Sequence, residues 1–128
     1  VLIAGLGMAC GLLGLDEEEA SPIPVPAPAP EPVKRTPNPG FDCAKARSWS
    51  SKTVCTDADL ADLDREMNGV YKARRKQMNE GQRNLFRDWQ KEWKRNQRDL
   101  CEYRPGRKSQ IVCLKSAHRA QIEAIKRY

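Results

Sequence analysis

The sequence predicts an all-α fold: a small antiparallel helical bundle of three main helices with a short N-terminal helical turn, stapled by two disulfides. Three observations carry that expectation. From residue 57 onward apolar residues recur at helical spacing, turn-forming residues fall between the periodic stretches, and no stretch alternates apolar with polar as a half-buried strand would. Four cysteines follow residue 40 as two pairs with the same separation.

At 128 residues the chain has room for one domain with appendages. Residues 1–15 (VLIAGLGMACGLLGL) carry no charge and are followed at once by Asp16, Glu17, Glu18 and Glu19. This reads as an export segment, shorter than the ~20 residues a membrane span requires. Three fates stay open for it: a retained anchor, plain cleavage, or lipidation at Cys10. Gly7 and Ala9 stand at suitable offsets before Cys10, although Gly7 occupies a place where Leu or Val is usual. The expected address is outside the cytoplasm, periplasmic or at the cell surface, with the membrane met through this segment.

Residues 16–40 are acidic and then rich in proline, with Pro at alternate positions from Pro22 to Pro32 and again at Pro37 and Pro39. Fixed φ and missing N–H donors exclude a helix or a central strand, leaving an extended polyproline stalk of roughly 50 Å. The helical domain is expected over residues 41–128. Five of the 17 acids and two of the 23 bases precede residue 40, so 21 bases face 12 acids in that domain, a formal +9. Such a balance favours anionic surfaces.

The first main helix is expected from about Asp57 to Met78, opened by a capping box of Thr56 and Asp59 and buried along Leu60, Leu63, Met67, Val70, Tyr71 and Met78. Asn79 to Gly81 is expected to end it in left-handed backbone. The second runs from about Gln82 to Cys101. Its wheel places Leu85, Phe86, Trp89, Trp93 and Leu100 on an apolar side, with Arg83, Arg87, Lys91, Lys94, Arg95 and Arg98 opposite. Pro105 and Gly106 turn the chain into a third helix marked by Ile111, Leu114, Ile122 and Ile125.

Cys43 and Cys55 are 12 apart, as are Cys101 and Cys113, and each pair brackets a helix junction. Of the three connectivities four cysteines allow, local pairing is the simplest, and each loop so closed would stabilise the fold by roughly 3 kcal/mol. That matters in a domain of this size, which buries only about 60 to 65% of its chain surface. Zinc is disfavoured because the cysteines lack two-to-four residue spacing; no metal or cofactor is expected. His118 is the sole histidine, and it falls in the register of Leu114 and Ile122, which suits a core position better than a nucleophile's base.

The segments Phe41-Asp42-Cys43-Ala44-Lys45-Ala46 and Val54-Cys55, then Leu60 with Leu63-Asp64, then Gln90, Trp93, Arg98-Asp99 and Cys101, then Cys113-Leu114 and Arg119, resemble in content and order the LprI-like lysozyme-inhibitor domain family. The likeness covers about residues 41–128. It implies a helical, disulfide-bearing, exported bacterial domain, often tethered as a lipoprotein.

Two surfaces are candidate sites. Arg87, Lys91, Lys94, Arg95 and Arg98 form a basic sector suited to phosphates or uronates, unless it is a solvated face braced by Asp88 with Lys91 and Arg95 with Asp99. Asp57, Asp59 and Asp62 form an acidic stretch that would meet a cationic partner such as a basic lysozyme, although a helix N-terminus also accounts for Asp57 and Asp59. Trp49 is expected as a lid on the core, and Trp89 and Trp93 within it. Catalysis has little basis: no Ser-His-Asp, metal-ligand or phosphate-loop pattern exists, and Asp88 with Glu92 would serve glycoside chemistry only inside a cleft. The expected function is therefore a non-enzymatic binding module whose partner is a lysozyme or another envelope protein. The alternative is an anionic envelope polymer; export disfavours nucleic acid.

Overall fold

The computed structural model describes residues 22–29 and 35–128. Residues 1–15, expected to direct export and containing Cys10, the acidic run and part of the proline-rich stretch lie outside them. Residues 22–29 are exposed and form neither helix nor strand, and are described by themselves. No helix among the described residues is long and apolar enough to cross a membrane.

The remaining unit is all-helical, with no strand among the described residues. After a 3-10 turn at Cys43–Lys45 come α1 (Trp49–Val54), α2 (Ala58–Arg75), α3 (Glu80–Trp93) and α4 (Arg107–Arg127). A π turn, Lys94–Arg98, and a 3-10 turn, Asp99–Tyr103, prolong α3. Consecutive long helices run antiparallel. Asp57 faces Lys115, Asp64 faces His118 and Arg74 bonds Tyr128, so α2 and α4 run parallel.

Local chemistry explains the boundaries, with three departures from expectation. The cap of α2 is Asp57, whose carboxylate accepts from Leu60 N at 2.9 Å, while the Thr56 hydroxyl donates back to Thr53 O at 2.7 Å. A carboxylate one residue nearer the helix outcompetes the hydroxyl for the free N–H groups. Next, α2 stops at Arg75, because Gln77 and Met78 tighten to bonds with Arg74 O and Arg75 O. Asn79 opens α3 instead of closing α2: its side chain accepts from Gln82 N, and Gln82 Oε1 accepts from Asn79 N, a reciprocal capping box. Left-handed backbone occurs instead at Gly106, φ 77°, beside Pro105 in the turn into α4.

The third departure lies in the π turn. Widening the helix by one residue carries Cys101 inward, fully buried, and leaves Leu100 55% exposed. Leu85, at the margin of the wheel's apolar side, is 66% exposed, and Gln90 takes the inward place between Phe86 and Trp93.

Two apolar clusters form the core. One joins Val54, Leu60, Ala61, Cys101 and Leu114, with Trp49 and Phe41 laid over it; the other joins Met67, Phe86, Trp93, Ile122 and Ile125, flanked by Trp89 and Tyr71. Between them in register on α2 and α4 sit Asp64 and His118, both buried. Trp93 is thus core, whereas Trp49 and Trp89 are half-buried covers. The unit also begins before residue 41. Pro39 is buried, Arg65 donates to Asn38 O at 2.6 Å, and Gly40 N donates to Asp64 at 3.1 Å.

Both disulfides close the local loops, Cys43–Cys55 with Cα atoms 5.9 Å apart and Cys101–Cys113 at 5.6 Å. Replacing Cys43 and Cys55 by Ala is expected to lower the unfolding free energy by roughly 3 kcal/mol in urea titration. The Cys101→Ala, Cys113→Ala variant should lose more, since Cys101 also fills the core; an equal or smaller loss would contradict this packing.

Candidate functional site

The polar layer between the two clusters is the most elaborated part of the molecule. Asp64 Oδ2 accepts from Gly40 N and from Asn68 Nδ2, each at 3.1 Å, and Oδ1 lies 3.5 Å from His118 Nε2. His118 Nδ1 lies 2.7 Å from Leu114 O. A carbonyl only accepts, so Nδ1 carries the proton, and Nε2 meets the carboxylate within ion-pair distance but without a formed hydrogen bond. The Trp93 ring stands edge-on to the imidazole, centroids 5.4 Å apart. On the other side Gln121 donates to Gln90 Oε1 at 2.6 Å, and Gln90 to the sulfur of Met67. The histidine is a core residue, as its register implies, and among the described residues all four cysteines are in disulfides.

Asp64 also lines a cleft of about 260 Å³ with Gly40, Ser51, Asn68, Lys94 and Arg98. Gly40 is required here, because a Cβ would stand 2.9 Å from the Cβ of Asn68. The π turn aims Lys94 and Arg98 at this cleft and away from the exposed Arg87, Lys91 and Arg95. The five cations that the helical wheel groups together therefore do not form one surface. Arg98, with its side chain 12% exposed, lies 3.2 Å from Asp99, which also accepts from Ser50 at 2.9 Å. Lys94 has neither a hydrogen bond nor an ion pair among the described residues. Burial, reinforced by the nearby Arg98 charge, pushes its ammonium below the ordinary lysine range.

Asp57, Asp59 and Asp62 occupy the first turns of α2, and each meets a cation of its own chain. Lys115 Nζ is 3.6 Å from Asp57; Arg35 bridges Asp59 at 2.5 Å and Asp62 at 2.6 Å; Arg65 reaches Asp62 at 2.9 Å. The hydrogen bond from Arg35 holds the Asp62 carboxyl below its usual range. Arg35, assigned by composition to the linker, is thus the residue whose part in this patch sequence reasoning missed. Nothing in a proline-rich stretch signals which helix it will lie against.

Of the two braces expected on α3, neither forms: Asp88 lies 3.4 Å from Arg87, and Asp99 serves Arg98 and Ser50. Glu92 lines a groove of about 440 Å³ between α3 and α4 together with Trp89, Asn96, Gln97 and Gln121, and Asp88 is not part of it. Asp88 and Glu92 therefore do not share this groove as a glycoside-hydrolysing pair would have to. Among the described residues no His, Cys, Asp or Glu cluster could hold a metal.

The unpaired ammonium of Lys94 generates a test with a definite sign. A lysine whose pKa is lowered by folding destabilises the fold while it is protonated, and the cost disappears as pH approaches its ordinary value of 10.5. Lys94→Met should therefore raise the denaturation midpoint at pH 7, with the gain shrinking between pH 9 and 11. A gain independent of pH would place its origin in the packing of Met, and a loss would show that the ammonium has a partner; either outcome contradicts the reading.

Residues 43–125 match the family model described as lysozyme inhibitor LprI. No curated protein and no solved structure shows significant similarity to the chain. The match runs from the first disulfide cysteine to the last buried isoleucine of α4, most of the helical unit, and the chain belongs to the LprI lysozyme inhibitor family.

Proposed function

We propose that the helical unit is a non-enzymatic module that binds and inhibits a lysozyme outside the cytoplasm. The family match across the whole disulfide-bonded bundle is the observation that carries this reading. Two disulfides suit an oxidising compartment. The contact surface is assigned by charge. The acids of α2 are already occupied by Arg35, Arg65 and Lys115, and so offer little net attraction to a cationic partner. Lys91 on α3 and Arg95 in the π turn that follows are exposed and form no ion pair among the described residues. Cations of that kind complement the paired carboxylates that a glycoside-hydrolase cleft must carry.

The tether is part of the same proposal: residues 1–15 engage the membrane, as a retained anchor or through a lipid on Cys10, and the proline-rich stretch holds the module away from it. Mass spectrometry of the unreduced protein from membranes should find either the intact apolar segment or a lipid on Cys10. A soluble product cleaved after that segment would remove the tether without touching the inhibitor reading.

Inhibition is tested by turbidity, following lysis of a cell-wall suspension by a panel of lysozymes at increasing concentrations of the purified protein. Lysis is expected to slow saturably for at least one lysozyme, with the inhibition constant weakened tenfold or more by Lys91→Glu with Arg95→Glu. Undiminished lysis across the panel at saturating protein removes the proposal.

A further inference from the structure

At the end of the bundle where α2 turns into α3, Lys72, Arg75, Lys76 and Arg83 line a cleft of about 310 Å³. None of the four forms an ion pair among the described residues. Two of them are nevertheless held in place. Arg83 Nε donates to the backbone carbonyl of Arg75 at 3.0 Å, and the Arg75 guanidinium stands 5.9 Å from the centre of the Tyr71 ring. Both partners are neutral, so they fix the guanidinium groups without cancelling their charge.

Helix stabilisation accounts for only three of these cations. Lys72, Arg75 and Lys76 lie at the C-terminal end of α2, where positive charge complements the helix dipole. Arg83 lies in the opening turn of α3, where a cation opposes the dipole, and its guanidinium takes no part in the Asn79 and Gln82 capping box. Arg83 thus adds a fourth positive charge to three others in a place where local structure disfavours it. From Arg83 the exposed cations continue at intervals of four through Arg87 and Lys91 on α3 to Arg95 in the π turn that prolongs it. This column is about 18 Å long at 1.5 Å per residue. Like charges spaced in that way weaken the helix that carries them, and of the four only Arg87 meets a carboxylate, Asp88.

We propose that the cleft is a binding site for a phosphate group of an anionic polymer, whose chain runs from the cleft along the exposed face of α3. Guanidinium groups present paired donors matched to phosphate oxygens, and the two lysines add point charge. A repeating polyanion explains the repeating cations better than an isolated ion does, since each further phosphate meets the next turn. The site does not depend on lysozyme binding and goes beyond it.

The experiment uses the full chain and fluorescently labelled poly(glycerol phosphate), with binding followed by anisotropy at several salt concentrations. Lys76→Gln with Arg83→Gln, in the cleft, should weaken binding more than tenfold near physiological salt and reduce the slope of log K against log salt by roughly 1 to 2. Lys91→Gln with Arg95→Gln removes the same charge further along the column and should cost about threefold. Inorganic phosphate should raise the melting temperature of the unaltered protein above that in chloride of equal ionic strength, and should not do so for the cleft variant. Equal losses in the two variants would overturn the proposal in favour of bulk charge. Equal affinity for polyglutamate would overturn the preference for phosphate, and binding confined to phosphatidylglycerol vesicles would overturn the polymer. Because the cleft variant keeps Lys91 and Arg95, its inhibition of lysozyme is expected to persist, so the two readings fail separately.

Discussion

One buried carboxylate constrains more of this molecule than any other single group. Asp64 is 3% exposed, and a charge so far from water must be met by donors or it costs several kcal/mol. Its donors come from separate parts of the chain, Gly40 from the segment before the first disulfide and Asn68 from the next turn of α2, while the His118 ring of α4 stands 3.5 Å away without a formed hydrogen bond. Satisfying it pins the incoming segment across α2, and the approach of His118 places the same carboxylate at a defined register of α2 on α4. Apolar contact alone tolerates sliding by a turn, whereas a polar group in an apolar interior does not.

The disulfides act at the same end of the bundle, on parts with little else to hold them. Helix α1 has six residues and the 3-10 turn before it three, too short to persist unsupported. Cys43–Cys55 closes that segment on itself. Cys101–Cys113 joins the end of the α3 extension to α4 and places a sulfur within the first apolar cluster. At the far end no covalent link exists among the described residues, and aromatic packing substitutes: Phe86 stacks on Tyr71 and meets Tyr128 edge to face.

Charge is sorted by these constraints. The acids at the start of α2 are neutralised within the chain. The π turn draws Lys94 and Arg98 into a cleft beside Asp64, and the cations left outward lie along α3 and around the α2 to α3 turn. The outward positive surface is thus smaller and more directed than the domain's formal balance of charge suggests.

The helical class, the three main helices, the local pairing of cysteines and the burial of His118 and Trp93 are legible in the sequence alone. Each depends on interactions among near neighbours: a period of 3.6, a cap, a twelve-residue loop. The sequence also carries the signature of the family in the order of its Cys, Trp and Arg positions. What it does not determine is anything that turns on a partner distant along the chain or on a change of helical pitch. The inward turn of Gln90 and Cys101 and the exposure of Leu85 and Leu100 follow from the π turn and from the packing of α3 on its neighbours, which a wheel at fixed pitch does not describe. The neutralisation of Asp59 and Asp62 by Arg35, the donors of Asp64, and the meeting of Lys72 and Arg83 across a turn were decided only when tertiary packing brought separated segments together. Side-chain charge is written in the sequence; whether it is spent internally or left for a partner depends on distances that only the folded chain sets.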